Sequence, residues 1–165
     1  MKTVESSATE SADASGNPPV IISLQKAEDP VEMDIKDSVG KQQDLSKFKV
    51  LVVDDESISR EILACMLEPT NCIVKVAEDG FEAIVKYFEF QPDIVLMDIN
   101  MPDVNGVSAL KIIRNQGGLA PIFAVTASVT KCEVRAYLSA GFNDIIAKPI
   151  LRQVLINKIS IALTV

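Results

Sequence analysis

The sequence predicts an α/β fold, a doubly wound parallel sheet of five strands with helices on both faces. Five short apolar runs are bounded by turn-forming residues, which is typical of strands buried on both faces of a parallel sheet. The segments between these runs carry apolar residues at spacings of three and four, which is typical of amphipathic helices. Because the two kinds of segment alternate along the chain, we expect βαβ units and therefore parallel strands.

The predicted strands share one feature, an apolar run that stops at a polar or turn-forming residue. Buried strands are usually about four to eight residues long, and each run fits within that length. In chain order the predicted strands are Lys49–Val53, Cys72–Ala77, Ile94–Met97, Ile122–Val125 and Asp144–Ala147.

The predicted helices each follow one strand. The first begins at Ser57 and ends near Leu67, because Pro69 disfavours helix in the residue before it. Gly141 is well placed to cap the fourth helix, which ends near Ala140, in the left-handed conformation. The residues expected to form apolar faces on four of the helices are Ile58, Ile62, Leu63 and Met66; Phe81, Ile84, Val85 and Phe88; Val107, Leu110 and Ile113; and Leu151, Val154, Leu155, Ile159 and Ala162.

The chain divides by composition into an arm and one folded domain. Residues 1–46 are predicted to form a flexible, acidic N-terminal arm, because small polar residues bury too little apolar surface to offset the entropy of ordering. Within the arm, Pro18–Leu24 is more apolar and is interpreted as a linker, a docking peptide or an added edge strand. Residues 47–165 are predicted to be the folded domain, and 48% hydrophobic residues in the chain are enough for a core.

The composition excludes several classes of function. The formal net charge of −7 argues against a nucleic-acid-binding surface and against attraction to anionic membranes. No run approaches the roughly 20 apolar residues of a spanning helix, and the N-terminus lacks the apolar core of a signal peptide. The chain has no histidine, which excludes Ser-His-Asp and Cys-His catalysis and histidine metal sites.

The three cysteines, Cys65, Cys72 and Cys132, are an odd number without metal-ligand spacing. We expect them to be small buried thiols in a reducing compartment. The protein is therefore expected to be cytoplasmic, and a monomer is favoured over an oligomer.

Polar residues follow four of the five predicted strands. Asp54 and Asp55 follow the first strand, Asp98 the third, Thr126 the fourth and Lys148 the fifth. In an open parallel sheet all these strand ends lie at one edge, where ligands bind. Any one of these residues alone is equally well explained as a turn, a helix cap or a solvated charge. Together they suit phosphoryl transfer to a carboxylate, with Mg²⁺ balancing the clustered acids.

Four motifs carry a specific resemblance to a known family. They are Val52–Glu56 (VVDDE), Val95–Gly106 (VLMDINMPDVNG), Ala124–Ser128 (AVTAS) and Ala147–Ile150 (AKPI). In this order they resemble the receiver domain of two-component response regulators, and in particular receivers attached to hybrid histidine kinases. The resemblance covers the whole predicted domain and implies a flavodoxin-like sheet with strand order 2-1-3-4-5.

The resemblance also implies a role for each polar residue at this edge. Asp98 corresponds to the phosphoacceptor, Thr126 to the hydroxyl that responds to phosphorylation, and Lys148 to the lysine that pairs with the phosphoryl group. The bond between Lys148 and Pro149 is expected to be cis. The residues implied to hold Mg²⁺ are Asp54, Asp55, Asp98 and the backbone carbonyl of Asn100.

The resemblance implies a phosphohistidine donor, either a histidine kinase or a histidine phosphotransfer protein. Because this chain has no histidine, the donor must be a separate domain. The apolar start of the first helix, Ile58 foremost, is a candidate docking face for it. The alternative for Ile58 is an ordinary core position. Such a domain is not an enzyme in the usual sense, since it catalyses only its own phosphorylation and dephosphorylation.

One position departs from the family pattern. Ile145 stands where many receivers have an aromatic residue three positions before the lysine. We therefore expect any signal to leave through the loop after Thr126, with Ile145 as passive packing. Two alternatives are a degenerate receiver that binds partners without phosphorylation and a phosphatase of the haloacid-dehalogenase type. The phosphatases carry a second Asp two residues after the nucleophile, where this chain has Asn100.

Overall fold

The structure, a computed structural model, describes residues 44–164. Residues 1–43 of the predicted arm 1–46, including Pro18–Leu24, lie outside the described residues, whereas Leu45, also assigned to the arm, is buried in the core. Five parallel strands form one sheet in the order β2-β1-β3-β4-β5, as the resemblance implied. The strands are β1 (Lys49–Val53), β2 (Ile73–Ala77), β3 (Ile94–Asp98), β4 (Ile122–Thr126) and β5 (Asp144–Ala147).

The helices follow the strands in the predicted alternation. A short 3₁₀ turn, Glu68–Thr70, extends the first helix, and Gly141 caps the fourth with a φ of 113°. The peptide bond between Lys148 and Pro149 is cis. The helices are α1 (Ser57–Leu67), α2 (Gly80–Phe90), α3 (Gly106–Asn115), α4 (Lys131–Ala140) and α5 (Arg152–Thr164).

The three central strands are buried because helices cover both faces of the sheet. Every residue of β3 and β4 is buried, and so is all of β1 after Lys49. Alternate residues of β1 enter two separate cores, since side chains in a strand point to opposite faces. Leu51 packs with α2 and α3, whereas Val50 packs with α1 and α5. Such continuous burial explains the unbroken apolar runs of the sequence.

The predicted apolar face of α1 is only partly correct. Leu63 is fully buried and Met66 is partly buried, but Ile58 is 70% exposed and Ile62 is 48% exposed. Ile58 lies in the first turn, and helix side chains tilt toward the helix N-terminus, away from the rest of the helix packed on the sheet. The core interpretation of Ile58 is therefore wrong, and its side chain is free to contact another molecule.

The predicted apolar face of α2 is also only partly correct, because Ile84 and Phe88 pack against the core but the other two predicted residues are exposed. Phe81 is 69% exposed and Val85 is 40% exposed, whereas the buried stripe passes through Gly80, Ala83 and Tyr87. A side-chain carbon at Gly80 would lie 2.1 Å from the backbone carbonyl oxygen of Val104, in the loop between β3 and α3. The small residues Gly80 and Ala83 thus allow α2 to pack closely against its neighbours. The spacing of bulky apolar residues did not predict this buried face, because it takes no account of small residues.

Two expectations about the surface also need correction. Leu151 and Val154 at the start of the last helical segment are exposed, while Leu155 and Ile159 form the buried face of α5. None of the three cysteines is buried: Cys65 and Cys132 are exposed on helices, and Cys72 is half-buried.

Within residues 44–164, no helix is both long and apolar enough to cross a membrane.

Candidate functional site at the carboxyl edge of the sheet

Asp98 is the last residue of β3 and is buried at the edge of the sheet, with 4% of its surface exposed. Its Oδ2 accepts a hydrogen bond from the backbone N–H of Asn100 at 2.6 Å. The start of α3 lies directly against its backbone, since a side-chain carbon on Gly106 would sit 2.2 Å from the Asp98 carbonyl oxygen. Glycine at position 106 therefore allows the loop after Asp98 to fold closely over the strand end.

Lys148 connects the two buried carboxylates of this edge. Its Nζ donates to Oδ1 of Asp98 at 2.7 Å and to Oδ2 of Asp54 at 2.8 Å. The other oxygen of Asp54 accepts the backbone N–H of Glu56 at 3.0 Å. The lysine is itself fixed, because its backbone N–H donates to the carbonyl of Thr126 at 2.8 Å. Residues up to 94 positions apart in sequence thus meet at one point.

The protonation of the site follows from burial and from this pairing. Burial raises the pKa of the Asp98 carboxyl; the hydrogen bond from Lys148 opposes that effect and the charge of Asp54 adds to it. Burial acts to lower the pKa of the Lys148 ammonium, but its hydrogen bonds to Asp54 and Asp98 outweigh burial, and the pKa lies above its usual value. Lys148 therefore stays charged at neutral pH.

The donors at this edge suit a hard cation. The carboxylates of Asp54 and Asp98 share the single ammonium of Lys148, which leaves a net negative charge. Carboxylate and carbonyl oxygens are the ligands that Mg²⁺ prefers. Asp55 follows Asp54 but is exposed. Within residues 44–164, no three acidic, histidine or cysteine side chains converge closely enough to hold a metal ion. The structure thus brings together Asp54 and Asp98, and it does not bring Asp55 to them.

Thr126 ends β4 and is fully buried. Its hydroxyl accepts the backbone N–H of Ser128 at 3.2 Å and donates to the carbonyl of the same residue at 3.3 Å. The hydroxyl is therefore engaged with its own loop. Ile145, in the neighbouring strand β5, is partly buried and packs against the core shared with α2 and α3.

Arg60 is a component of the site that the sequence did not reveal. Its side chain is 17% exposed, and Nη1 donates to the backbone carbonyls of Asp54 at 2.6 Å and Asp55 at 3.1 Å. One guanidinium on α1 thus anchors the backbone of both acids. The sequence around Arg60 does not predict this role, because a side chain that binds backbone carbonyls does not require any particular residue type at the positions it contacts.

A model of the response regulator receiver domain matches residues 50–160. The chain belongs to the response regulator receiver family. This receiver domain is 38% identical over 105 residues to transcription factor SKN7 of Saccharomyces cerevisiae, a match that covers 64% of this chain and 17% of that protein. It is 31% identical over 112 residues to the Regulator of RpoS of Escherichia coli K12, with 68% and 31% covered. The chain thus spans less than a third of the length of these two relatives.

Solved receiver structures resemble this receiver domain closely. The receiver domain of sensor histidine kinase PA1611 from Pseudomonas aeruginosa has a TM-score of 0.67 and 29% identity, covering 72% of this chain and 98% of that one. That structure has a magnesium ion coordinated in its active-site cleft. The receiver domain of Ssk1 from Saccharomyces cerevisiae, solved with the histidine phosphotransfer protein Ypd1, has a TM-score of 0.65 and 31% identity, covering 68% and 86%.

Proposed function

We propose that the domain is a phosphoacceptor, which takes a phosphoryl group from a phosphohistidine donor onto Asp98 and thereby changes its binding to a partner. The observation that carries the proposal is the Lys148 ammonium held between the buried carboxylates of Asp98 and Asp54. A structural ion pair needs one carboxylate per lysine, whereas this site leaves one negative charge unbalanced. An excess of buried charge at a strand edge is a feature of functional sites.

Asp98 supplies the nucleophile in the proposed reaction. One of its carboxylate oxygens forms a bond to phosphorus as the bond between phosphorus and the donor imidazole nitrogen breaks, and the electron pair stays on that nitrogen. Hydrogen bonds from Asn100 and Lys148 fix the orientation of the carboxylate before the donor arrives. Lys148 then pairs with an oxygen of the transferred group, so that its charge remains balanced.

Asp54, Asp55, Asp98 and the carbonyl of Asn100 are the residues proposed to hold Mg²⁺. When bound, the ion neutralises the acids and the incoming phosphoryl oxygens, which lowers the repulsion between them. Asp54 is already fixed by Lys148 and by the backbone of Glu56. Asp55 has to turn toward this edge to contribute a ligand, and Arg60 keeps its backbone in place for that movement.

The proposed donor is a histidine kinase or a histidine phosphotransfer protein. The likeness to the Ssk1 receiver, which was solved with such a protein, supports this assignment. An exposed groove beside the site offers a docking face, because Ile58 and Ile62 on α1 lie next to Arg152 at the start of α5. Apolar anchors with a charged rim are typical of protein interfaces.

Two other functions predict different behaviour. A phosphatase of the haloacid-dehalogenase type would release phosphate at high turnover, and Asn100 at the position of its second acid argues against it. A degenerate receiver would bind partners without phosphorylation, and the paired Asp98 and Lys148 argue against that.

Incubation with Mg²⁺ and a small acyl phosphate separates these functions. We expect label that is sensitive to hydroxylamine on the wild type, and none on Asp98→Asn or in the presence of a chelator. Asp54→Asn should raise the Mg²⁺ concentration needed by about tenfold or more, as is typical when a group that supports a metal is removed. Rapid phosphate release without stable label would indicate the phosphatase, and label on a folded Asp98→Asn variant would refute the proposal.

A further inference from the structure

The loop between β4 and α4 contains a chain of hydrogen bonds that leads from the buried Thr126 hydroxyl to the helix. The hydroxyl bonds to the backbone of Ser128 at 3.2 and 3.3 Å. The side chain of Ser128 then donates to Oε2 of Glu133 at 2.7 Å. Three residues in sequence order thus connect the interior of the site to the first turn of α4.

Glu133 also caps α4. Its Oε2 accepts the backbone N–H of Thr130 at 3.0 Å and the hydroxyl of Thr130 at 2.6 Å, while its own backbone N–H donates back to that hydroxyl at 3.3 Å. This reciprocal pair is a complete capping box, which needs only Thr130 and Glu133. The bond from Ser128 is additional to the box and fastens the Thr126 loop to it.

Hydrogen bonding keeps this carboxylate charged. The side chain of Thr130, then that of Ser128, holds the pKa of Glu133 below its usual range. A charged acceptor makes stronger hydrogen bonds than a neutral one. The helix itself adds little to the anchoring of its N-terminus, since no residue of α4 is fully buried.

The backbone of Thr126 is fixed by the hydrogen bond that Lys148 donates to its carbonyl. To donate to a phosphoryl group on Asp98, the Thr126 hydroxyl has to release the bond that it donates to the Ser128 carbonyl. Because the Thr126 backbone is fixed, the accompanying movement falls on the residues after it. Ser128 is in turn bonded to Glu133. The hydrogen bond from Ser128 to Glu133 therefore stabilises the resting position of the loop and would have to break when the loop moves.

We propose that Glu133 is a positioning residue, which holds Ser128 and the Thr126 loop in the resting arrangement and so opposes the phosphorylated state. The proposal rests on Asp98 being the phosphoacceptor. A bond present only in the resting state shifts the equilibrium against the phosphorylated state by its own free energy. Removing it should therefore tighten the binding of a phosphoryl mimic, whereas ordinary damage to the site would weaken binding.

Binding of fluoroberyllate with Mg²⁺, followed by amide NMR shifts, provides the test. Ser128→Ala removes the hydrogen bond from Ser128 to Glu133 and keeps the capping box. Thr130→Ala disrupts the capping box and keeps the bond from Ser128 to Glu133. Glu133→Ala removes both. We expect Ser128→Ala and Glu133→Ala to bind fluoroberyllate roughly two- to fivefold more tightly than the wild type, the scale of one exposed charge-assisted bond. Thr130→Ala should bind like the wild type, and the Ser128→Ala/Glu133→Ala double variant should gain no more than either single variant.

Three results would overturn the inference. Unchanged or weaker binding by Ser128→Ala would show that the bond does not oppose the phosphorylated state. If Thr130→Ala and Glu133→Ala changed the affinity for fluoroberyllate equally, the change would be due to the loss of helix capping alone. A wild type that fails to bind fluoroberyllate would remove the proposed function and this inference with it, so the two failures are distinguishable.

Discussion

At the scale of single residues, the distinctive feature is one ammonium shared by two buried carboxylates. The carboxylates of Asp98 and Asp54 lie 2.7 and 2.8 Å from Nζ of Lys148, and neither carboxylate forms an ion pair with another cation among residues 44–164. Burial of a charge without a full counter-charge destabilises the folded state. The site is thus arranged for a further cation at the expense of stability.

Substitution of Asp98 should therefore stabilise the metal-free protein. Because the pKa of Asp98 is raised on folding, its contribution to stability is present at low pH and is lost as the pH rises through the folded-state pKa. In a chelating buffer we expect Asp98→Asn to have a higher free energy of unfolding than the wild type at pH 7, with a smaller difference near pH 4. Urea unfolding at both pH values provides the measurement.

The same experiment with Mg²⁺ supplies the control. Mg²⁺ should stabilise the wild type more than Asp98→Asn, since the variant lacks one ligand and a bound ion stabilises only the state that binds it. A metal-free wild type that gains stability over Asp98→Asn as the pH rises would show that pairing with Lys148 outweighs burial.

At the scale of elements, two helices each present a large exposed apolar residue in the first turn. Ile58 on α1 and Phe81 on α2 are 70% and 69% exposed. The two helices pack on opposite faces of the sheet, since Leu63 and Tyr87 enter different cores. Substitutions at Ile58 and Phe81 therefore separate the loss of a docking contact on one face of the sheet from a general effect of changing an exposed apolar residue.

Ile58→Asp should slow phosphotransfer from a phosphohistidine protein by roughly tenfold or more, because the loss of a central apolar anchor at an interface costs about 2 kcal/mol or more. Phe81→Asp is the matched control and should transfer at the wild-type rate. Initial rates at limiting donor concentration provide the measurement. Equal loss in both variants, or none in folded Ile58→Asp, would remove α1 as the docking face.

The elements also show what the sequence could predict. Strand positions and the meeting of Asp98, Asp54 and Lys148 follow from apolar runs and from the rule that ligands bind at the carboxyl edge. The contacts of Arg60 did not follow, because they are made with backbone carbonyls. The spacing of Thr130 and Glu133 is a sequence signal for a capping box, but the bond from Ser128 to Glu133 depends on loop geometry and had no such signal. The buried faces of the helices were wrong at Phe81 and at Ile58 as a core position, since periodicity does not show where a helix extends past its sheet; the prediction of Ile58 as a docking residue requires the exposure that the structure shows.

At the scale of the whole molecule, the parallel sheet collects residues from four strand ends at a single edge. Each loop at that edge leads into a helix, and Thr126 and Lys148 lie at the strand ends that precede α4 and α5. Under the proposed function, these two residues are the routes by which a phosphoryl group on Asp98 would act on the two helices. In the proposed function, the phosphoryl group is carried on the Asp98 carboxylate.

Reductive trapping of the acyl phosphate identifies the residue that carries the phosphoryl group. Borohydride converts an aspartyl phosphate into homoserine, and peptide mass spectrometry then identifies the converted residue. After transfer from a phosphohistidine protein with Mg²⁺, we expect homoserine at position 98 of the wild type and none when the donor is omitted. Homoserine at Asp54 or Asp55, or no conversion despite transfer of the phosphoryl group, would contradict the account.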